Sequence, residues 1–500
     1  MMKNNSVSVG RTVRWMMSGL FLITTLACSS STNTADTGGM SGTGVSQGSI
    51  DSFGSIFVNG VEWEIGNALI EVDDATGSEG DLRLGMIVLV RGDLDAGGLS
   101  GIATSVDYDN ELEGPIETDP ILLAPEGTEK SFVVLGRTVI VDEFDTSFDA
   151  GASFVSIARR DVVEVSGFVD GAGNIRATRI ALTGQFPVDD EVEFKGFVAN
   201  LARNGDGTGV FDIGAITVEY VNATDFSGTT EGNFVDGQFV EVKGELVGGG
   251  FDRVDATEIE LEEEGLSGED AESLEIEGLV SGFVSLADFE VAGVSVDAST
   301  ASIDPAGAII MDGDLVEVEG RLTAGVLIAE SLEVEDESLE TVKIEAAISA
   351  IDLLDRNLML LGVEVEIEGK TELEDERDGL SDFGFDDLRV GDWVKVEAIS
   401  TGAGAARAKK VTRDDAEADV VLEGPVTELD RLVPALSILD QPVPLDDMTL
   451  YFDAQGQPRS EEEFFENPGF VESGDVVTVM DLDALQSDAL LEADIVEIDD

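Results

Sequence analysis

The sequence predicts an all-β protein: a tandem array of six small five-stranded OB-like barrel modules behind a signal peptide and a flexible tether. Three observations carry that expectation. A strand of the kind seen in "MDGDLVEVEG" (311–320) recurs six times. Gly is abundant at 57 residues while Pro is scarce at 11, which suits many tight turns between strands. The chain has 500 residues and 43% hydrophobic content, enough for several packed domains and too much for one core.

The recurring strand appears as "LGMIVLVRG" (84–92), "RDVVEVSG" (160–167), "DGQFVEVKG" (236–244), "DGDLVEVEG" (312–320), "VGDWVKVEA" (390–398) and "SGDVVTVMD" (473–481). Its turn residues Gly85, Arg160, Gly237, Gly313, Gly391 and Gly474 are spaced by 75, 77, 76, 78 and 83. Such a period marks a tandem array, and it is longer than a solenoid repeat, so each copy is a small complete domain.

Each copy carries the same signals in order. An opening strand such as "EGPIET" or "KGFVAN" is followed by a hairpin centred near a glycine, as in "FVNGVEWEI" or "VLGRTVIV". The sixth copy has "LDQPVPL" there and is the least regular. The Gly-Asp strand comes next, then a final strand starting at an alanine, Ala103, Ala177, Ala256, Ala329, Ala408 or Ala493. In the Gly-Asp strand Val316 and Val318 alternate with Glu317 and Glu319, as a half-buried strand requires. Five such strands suit a small barrel that closes its own edges, a meander sandwich being the other arrangement. In the last two copies the connection after the hairpin lengthens, with room for a short helix. The apolar residues Ile87, Val162, Phe239, Leu315, Trp393 and Val476 lie on the face opposite the paired valines. Coverage of both strand faces by the barrel ends explains them; a contact stripe is the alternative.

The resulting boundaries are a signal peptide (1–27), a tether (28–46), and modules at 47–111, 112–188, 189–270, 271–340, 341–418 and 419–500. The signal peptide has Lys3, Arg11 and Arg14 ahead of an apolar run too short to span a bilayer, which needs about 20 residues. The cut falls before Cys28, the chain's single cysteine. The "TLAC" segment resembles a bacterial lipoprotein signal, which implies that Cys28 carries the acyl chains and that export ends at the outer membrane. The Ser/Thr/Gly-rich tether follows.

The first module resembles the bacterial "domain of unknown function 5666" family, small β-barrel repeats common on lipoproteins. The resemblance rests on "GSIDSFGSIFVNGVEWEI" (48–65), "DLRLGMIVLVRG" (81–92) and "ATSVDYDNELEGPI" (103–116), and later copies share the skeleton more weakly. It implies a fold and a location, with no activity and no site residues.

Charge and missing residue types bound the chemistry. Asp plus Glu total 105 against 28 Lys plus Arg, a formal net charge of -77. That field repels nucleic acid and attracts cations or basic partners. With no histidine there is no imidazole base, no Ser-His-Asp triad and no histidine metal site. One cysteine, expected to be acylated, leaves no thiolate chemistry. Among the acids no pair stands out for glycoside hydrolysis. "NGDGTG" (204–209) hints at a calcium loop, but Ala215 replaces the glutamate such a loop needs. The two tryptophans beyond the signal, Trp63 and Trp393, are few for carbohydrate stacking.

The expectation is a non-enzymatic cell-envelope lipoprotein, held to the membrane through Cys28. It would act as a structural spacer or docking array for a basic protein or an envelope polymer. A calcium-organised, adhesin-like surface protein is the alternative, and a carboxylate-dependent envelope hydrolase the third reading. No catalytic or metal-ligating residue is assigned, no cofactor is expected beyond calcium in the alternative, and no nucleic acid is expected as partner.

Overall fold

The computed structural model describes residues 43–498, apart from 54, 96–97, 124–127, 144, 189–190, 263–265, 267–270, 306, 335–340, 355, 370, 381–382, 403, 418, 432–433, 455, 466–470 and 483–492. The expected signal peptide, Cys28 and the first part of the tether lie outside the described residues.

The first module shows how the pattern folds. Its strands are β1 (Thr43–Phe53), β2 (Ile56–Val58), β3 (Val61–Glu64), β4 (Leu69–Val72), β5 (Ala75–Thr76), β6 (Ile87–Leu94) and β7 (Ser100–Tyr108). β1, β2 and β3 form an antiparallel meander whose second turn is Asn59-Gly60, both at positive φ, as a two-residue hairpin of this twist demands. β3 then runs parallel to β7, β7 antiparallel to β6, and β6 antiparallel to β1. The ring is therefore closed in the OB order. β4 lies parallel along the far end of β7. Ile50, Ile56, Trp63, Val88, Val90 and Val106 fill the interior, and Trp63 is completely buried.

The same parallel closure recurs at Val139 with Ile175, Val218 with Val254, Val296 with Leu327, and Val365 with Ala406. The sixth module is looser. Its hairpin, Ala435–Ile438 and Gln441–Pro442, pairs with Val420–Asp430, while the final strand Ile495–Ile498 takes Leu450–Phe452 as its parallel partner. Pro442 and Pro444 lack the amide hydrogens a closing ladder needs. The room for a short helix is used at Glu461–Phe465, which buries Phe464 and Phe465, and a single 3-10 turn, Phe385–Asp387, stands there in the fifth module.

Two details explain the repeated motif. All six aligned turn residues are left-handed, with φ from +73° at Gly85 to +94° at Gly474, and Arg160 adopts +78° although it carries a Cβ. The glycine ending the strand, such as Gly92 or Gly320, sits at a register shift. A Cβ there would strike the carbonyl oxygen of the neighbouring strand, Ile102 or Ile328. The fifth module has Ala398 at this bulge.

The modules are joined by strand pairing into three sheets, each shared by two barrels. Leu112–Pro115 pairs with Glu191–Phe197 between modules 2 and 3, and Thr341–Ala347 with Val420–Asp430 between 5 and 6. Modules 1 and 4 are not neighbours in sequence, yet β1 runs parallel to Ala271–Ser285, from Gly44 opposite Ser273 to Gln47 opposite Ile276. This corrects the tether boundary: residues 43–46 are strand. The Ser/Thr/Gly composition hid the one residue that matters, Val45, whose side chain is buried in the core of the fourth module. Of the six positions opposite the paired valines, Val162 and Trp393 are buried and the other four half-buried. Leu315 among them lines a space between modules.

Candidate functional site

That space is a cavity of about 310 Å³ where modules 1, 2, 4 and 5 meet. Its wall carries nine carboxylates, among them Asp51, Asp145, Glu277, Glu317, Glu368 and Glu372, against the basic Arg176, Arg407 and Lys409. Apolar side chains, including Phe168, Leu315 and Ile399, line it as well.

Four of the acids converge from half-buried positions on strands. Asp51 belongs to β1, Glu277 to the strand paired beside it, and Glu317 to the strand paired beside that one. Glu372 comes from the short strand Glu372–Asp375 of module 5. Ser49 bridges two of them: its hydroxyl lies 2.8 Å from Asp51 Oδ1 and 3.3 Å from Glu277 Oε2, and its amide donates to the same Glu277 oxygen at 3.3 Å. Burial among the barrels pushes the Asp51 carboxyl well above the usual range, Glu277, Glu372 and Glu317 push it further, and the Ser49 hydroxyl opposes them. Burial likewise raises Glu372, although Lys410 Nζ lies 3.1 Å from its carboxylate. Glu397, close to Lys410, is pushed up to about 8, first by burial.

Asn59 closes one side. The residue is 6% exposed, its Nδ2 donates to the Gln47 carbonyl at 3.1 Å, and its Oδ1 accepts no hydrogen bond. Gly48 lies beneath it. A side chain at residue 48 would collide with Asn59 Oδ1 and come within 3.1 Å of Glu277 Oε2, so these two oxygens converge over the bare glycine.

A second acidic group lies between modules 1 and 3. Carboxylate oxygens of Asp73, Asp109 and Glu193 approach within 4.8 Å of one another, as do those of Asp74, Glu241 and Glu260. Lysines occupy it: Lys195 Nζ is 2.6 Å from Asp109, and Lys243 Nζ is 2.8 Å from Asp74 and 3.3 Å from Glu241. Burial and the neighbouring Glu241 raise Glu193 to about 8. Such a group answers its own charge with ion pairs.

The positions singled out from sequence fall elsewhere. Cys28 is outside the described residues. The segment 204–209 is a hairpin turn in which the Asp206 carboxylate accepts from the Thr208 amide and hydroxyl. Trp63 and Trp393 are both buried, so neither is a stacking platform. Sequence reasoning missed the cavity, because its wall is drawn from four modules and no local spacing connects them.

A family model described as Domain of unknown function (DUF5666) matches residues 45–107, 113–181, 195–260, 277–333 and 345–412. The chain belongs to this family. The DUF5666 matches fall on the first five barrels and leave the sixth, irregular one uncovered. No curated protein matches this DUF5666 chain. Among solved structures, Drosophila Unr CSD456 is similar at 14% identity and a TM-score of 0.15, covering 44% of this chain and 97% of that one.

Proposed function

We propose that the chain is a non-enzymatic lipoprotein of the bacterial cell envelope, anchored through Cys28, whose barrels form a docking body for a basic protein or an envelope polymer. One observation carries the reading: barrels far apart in sequence are fused through a shared strand ladder, β1 against Ala271–Ser285. Fusion of this kind favours a rigid body that presents a fixed acidic surface over a string of independent spacers. The net charge of -77 supplies long-range attraction to a cationic partner. The calcium-organised alternative has less support, since lysines already lie among the most closely grouped acids.

The test is recovery of the native protein from solubilised envelopes. A partner that co-purifies at moderate salt and is lost when Cys28→Ser releases the protein from membranes supports the reading. Recovery alone, or unchanged membrane association of Cys28→Ser, overturns it.

A further inference from the structure

We infer that the junction between modules 1 and 3 is a latch that opens in alkali: the Asp73-Asp74 turn stays docked on the third barrel while the neighbouring Glu193 and Glu241 share one proton, and comes away when that proton leaves. The inference does not depend on the envelope reading.

The turn is built to present charge. Asp73 and Asp74 join β4 to β5 with both residues left-handed, at φ +47° and +60°, and the Asp73 amide donates to the Tyr108 carbonyl at 3.0 Å. Among the described residues no strand ladder links modules 1 and 3. Side chains make the junction instead. Lys243 Nζ reaches Asp74 at 2.8 Å, and Asn110 Nδ2 donates to Asp73 Oδ1 at 3.2 Å and to Glu193 Oε1 at 3.5 Å.

Charge crowds Glu193 from every neighbouring element. Lys243 stands opposite it on the strand Phe239–Leu246, and Glu113 on the strand Leu112–Pro115. Asp73 and Asp109 bring carboxylate oxygens within 4.8 Å of its own, and Asp74 and Glu260 do the same to Glu241. Glu164 of the second module acts on Asp73, and Glu262 of the third lies near Glu241. Against these acids Lys243 Nζ lies 3.5 Å from Glu193 and 3.3 Å from Glu241, and Lys195 Nζ lies 3.7 Å from Glu241. The Glu241 carboxylate is nevertheless buried, at 1% exposure, and neither of its oxygens accepts a hydrogen bond. A proton on Glu193 supplies the missing donor. Burial and Glu241 push the Glu193 carboxyl up, with Lys243 opposing them. Loss of the proton leaves two adjacent carboxylates facing Asp73 and Asp109, and withdrawal of the turn relieves the repulsion without breaking a ladder between modules. The sign follows: a carboxyl raised in the docked form stabilises it fully near about pH 5 and loses that contribution as pH rises through the raised value.

The test is hydrogen exchange of the full chain in detergent from about pH 6 to about pH 10, corrected for the intrinsic pH dependence of amide exchange. Protection of residues 69–77 should fall at least tenfold above about pH 8, while the third barrel's own hairpin, residues 209–220, keeps its protection. Glu193→Gln, whose amide still donates to Glu241 and gains no charge, should hold the turn's protection across the range. Glu397→Gln, which removes a raised carboxyl from the fifth module, should leave the fall in place. Asp73→Asn replaces Glu193→Gln if that variant fails to fold, and should move the fall to higher pH. Protection at 69–77 that stays constant with pH in the unaltered chain overturns the inference, as does an equal fall in Glu193→Gln or a fall abolished by Glu397→Gln. Loss of protection at 209–220 at the same pH also overturns it, because the barrel and not the latch is then what opens.

Discussion

The Ser147 hydroxyl of the second module donates to the Glu372 carboxylate of the fifth across 2.7 Å, although 225 residues separate them in the chain. The same carboxylate lies 3.1 Å from Lys410, which also reaches Glu374 at 3.0 Å. One carboxylate thus ties two barrels together and fixes one wall of the cavity. Lys410→Met leaves Glu372 and Glu374 without their buried cation. Loss of one partner of such a pair should cost about 2–4 kcal/mol in urea unfolding, less if Glu372→Gln is made as well.

Stability should fall as pH rises from about 5 to about 9. Glu397 and Glu193 are held near 8, and Glu262 near 7, mainly by burial. A carboxyl raised in the folded state binds more protons there than in the unfolded chain between its ordinary value and its raised one, so its contribution is present at low pH and lost through the raised value. Melting temperature across this window checks the sign, and Glu397→Gln should flatten the upper part of the curve.

Arg160 offers the opposite experiment. The other five modules place Gly at this left-handed turn, and Arg160 holds φ +78° with a Cβ. Arg160→Gly should stabilise the second module by about 0.5–1 kcal/mol, the strain relieved exceeding the added freedom of the unfolded chain. Its guanidinium lies 5.8 Å from the centre of the Phe186 ring, a contact too long to reverse the sign. Chemical denaturation of the two proteins side by side decides it.

Val45→Asp should unfold the wrong module. The residue belongs to the first barrel's opening strand, but its side chain fills the core of the fourth. An unpaired charge there should cost about 3 kcal/mol or more. Hydrogen exchange should accelerate at Val316 and Val318, with the fifth barrel's Val394 and Val396 unaffected.

Legibility from sequence divides along the same lines. The turn positions from Gly85 to Gly474 could be aligned because a left-handed residue and the alternation after it are local demands, imprinted on consecutive residues. Closure within a barrel was legible for the same reason. Pairing of β1 with Ala271–Ser285 was not, since Gly44, Val45 and Ser46 look like any small-residue tether until their partner is known. The cavity shares that fate: Asp51, Glu277 and Glu372 are three of 105 acids, and only packing brings them together.

The ladder between Gly44 and Ser273 also sets a timetable. As the chain emerges from the ribosome, the outer edge of the first strand has no partner until the fourth module's opening strand arrives, more than two hundred residues later. At about 5–20 residues per second that wait lasts roughly 10–50 s. Throughout it the nascent chain carries an open strand edge, the kind of template on which chains pair with one another. The first barrel to be made is therefore among the last to be sheltered, and its early hazard is another copy of itself.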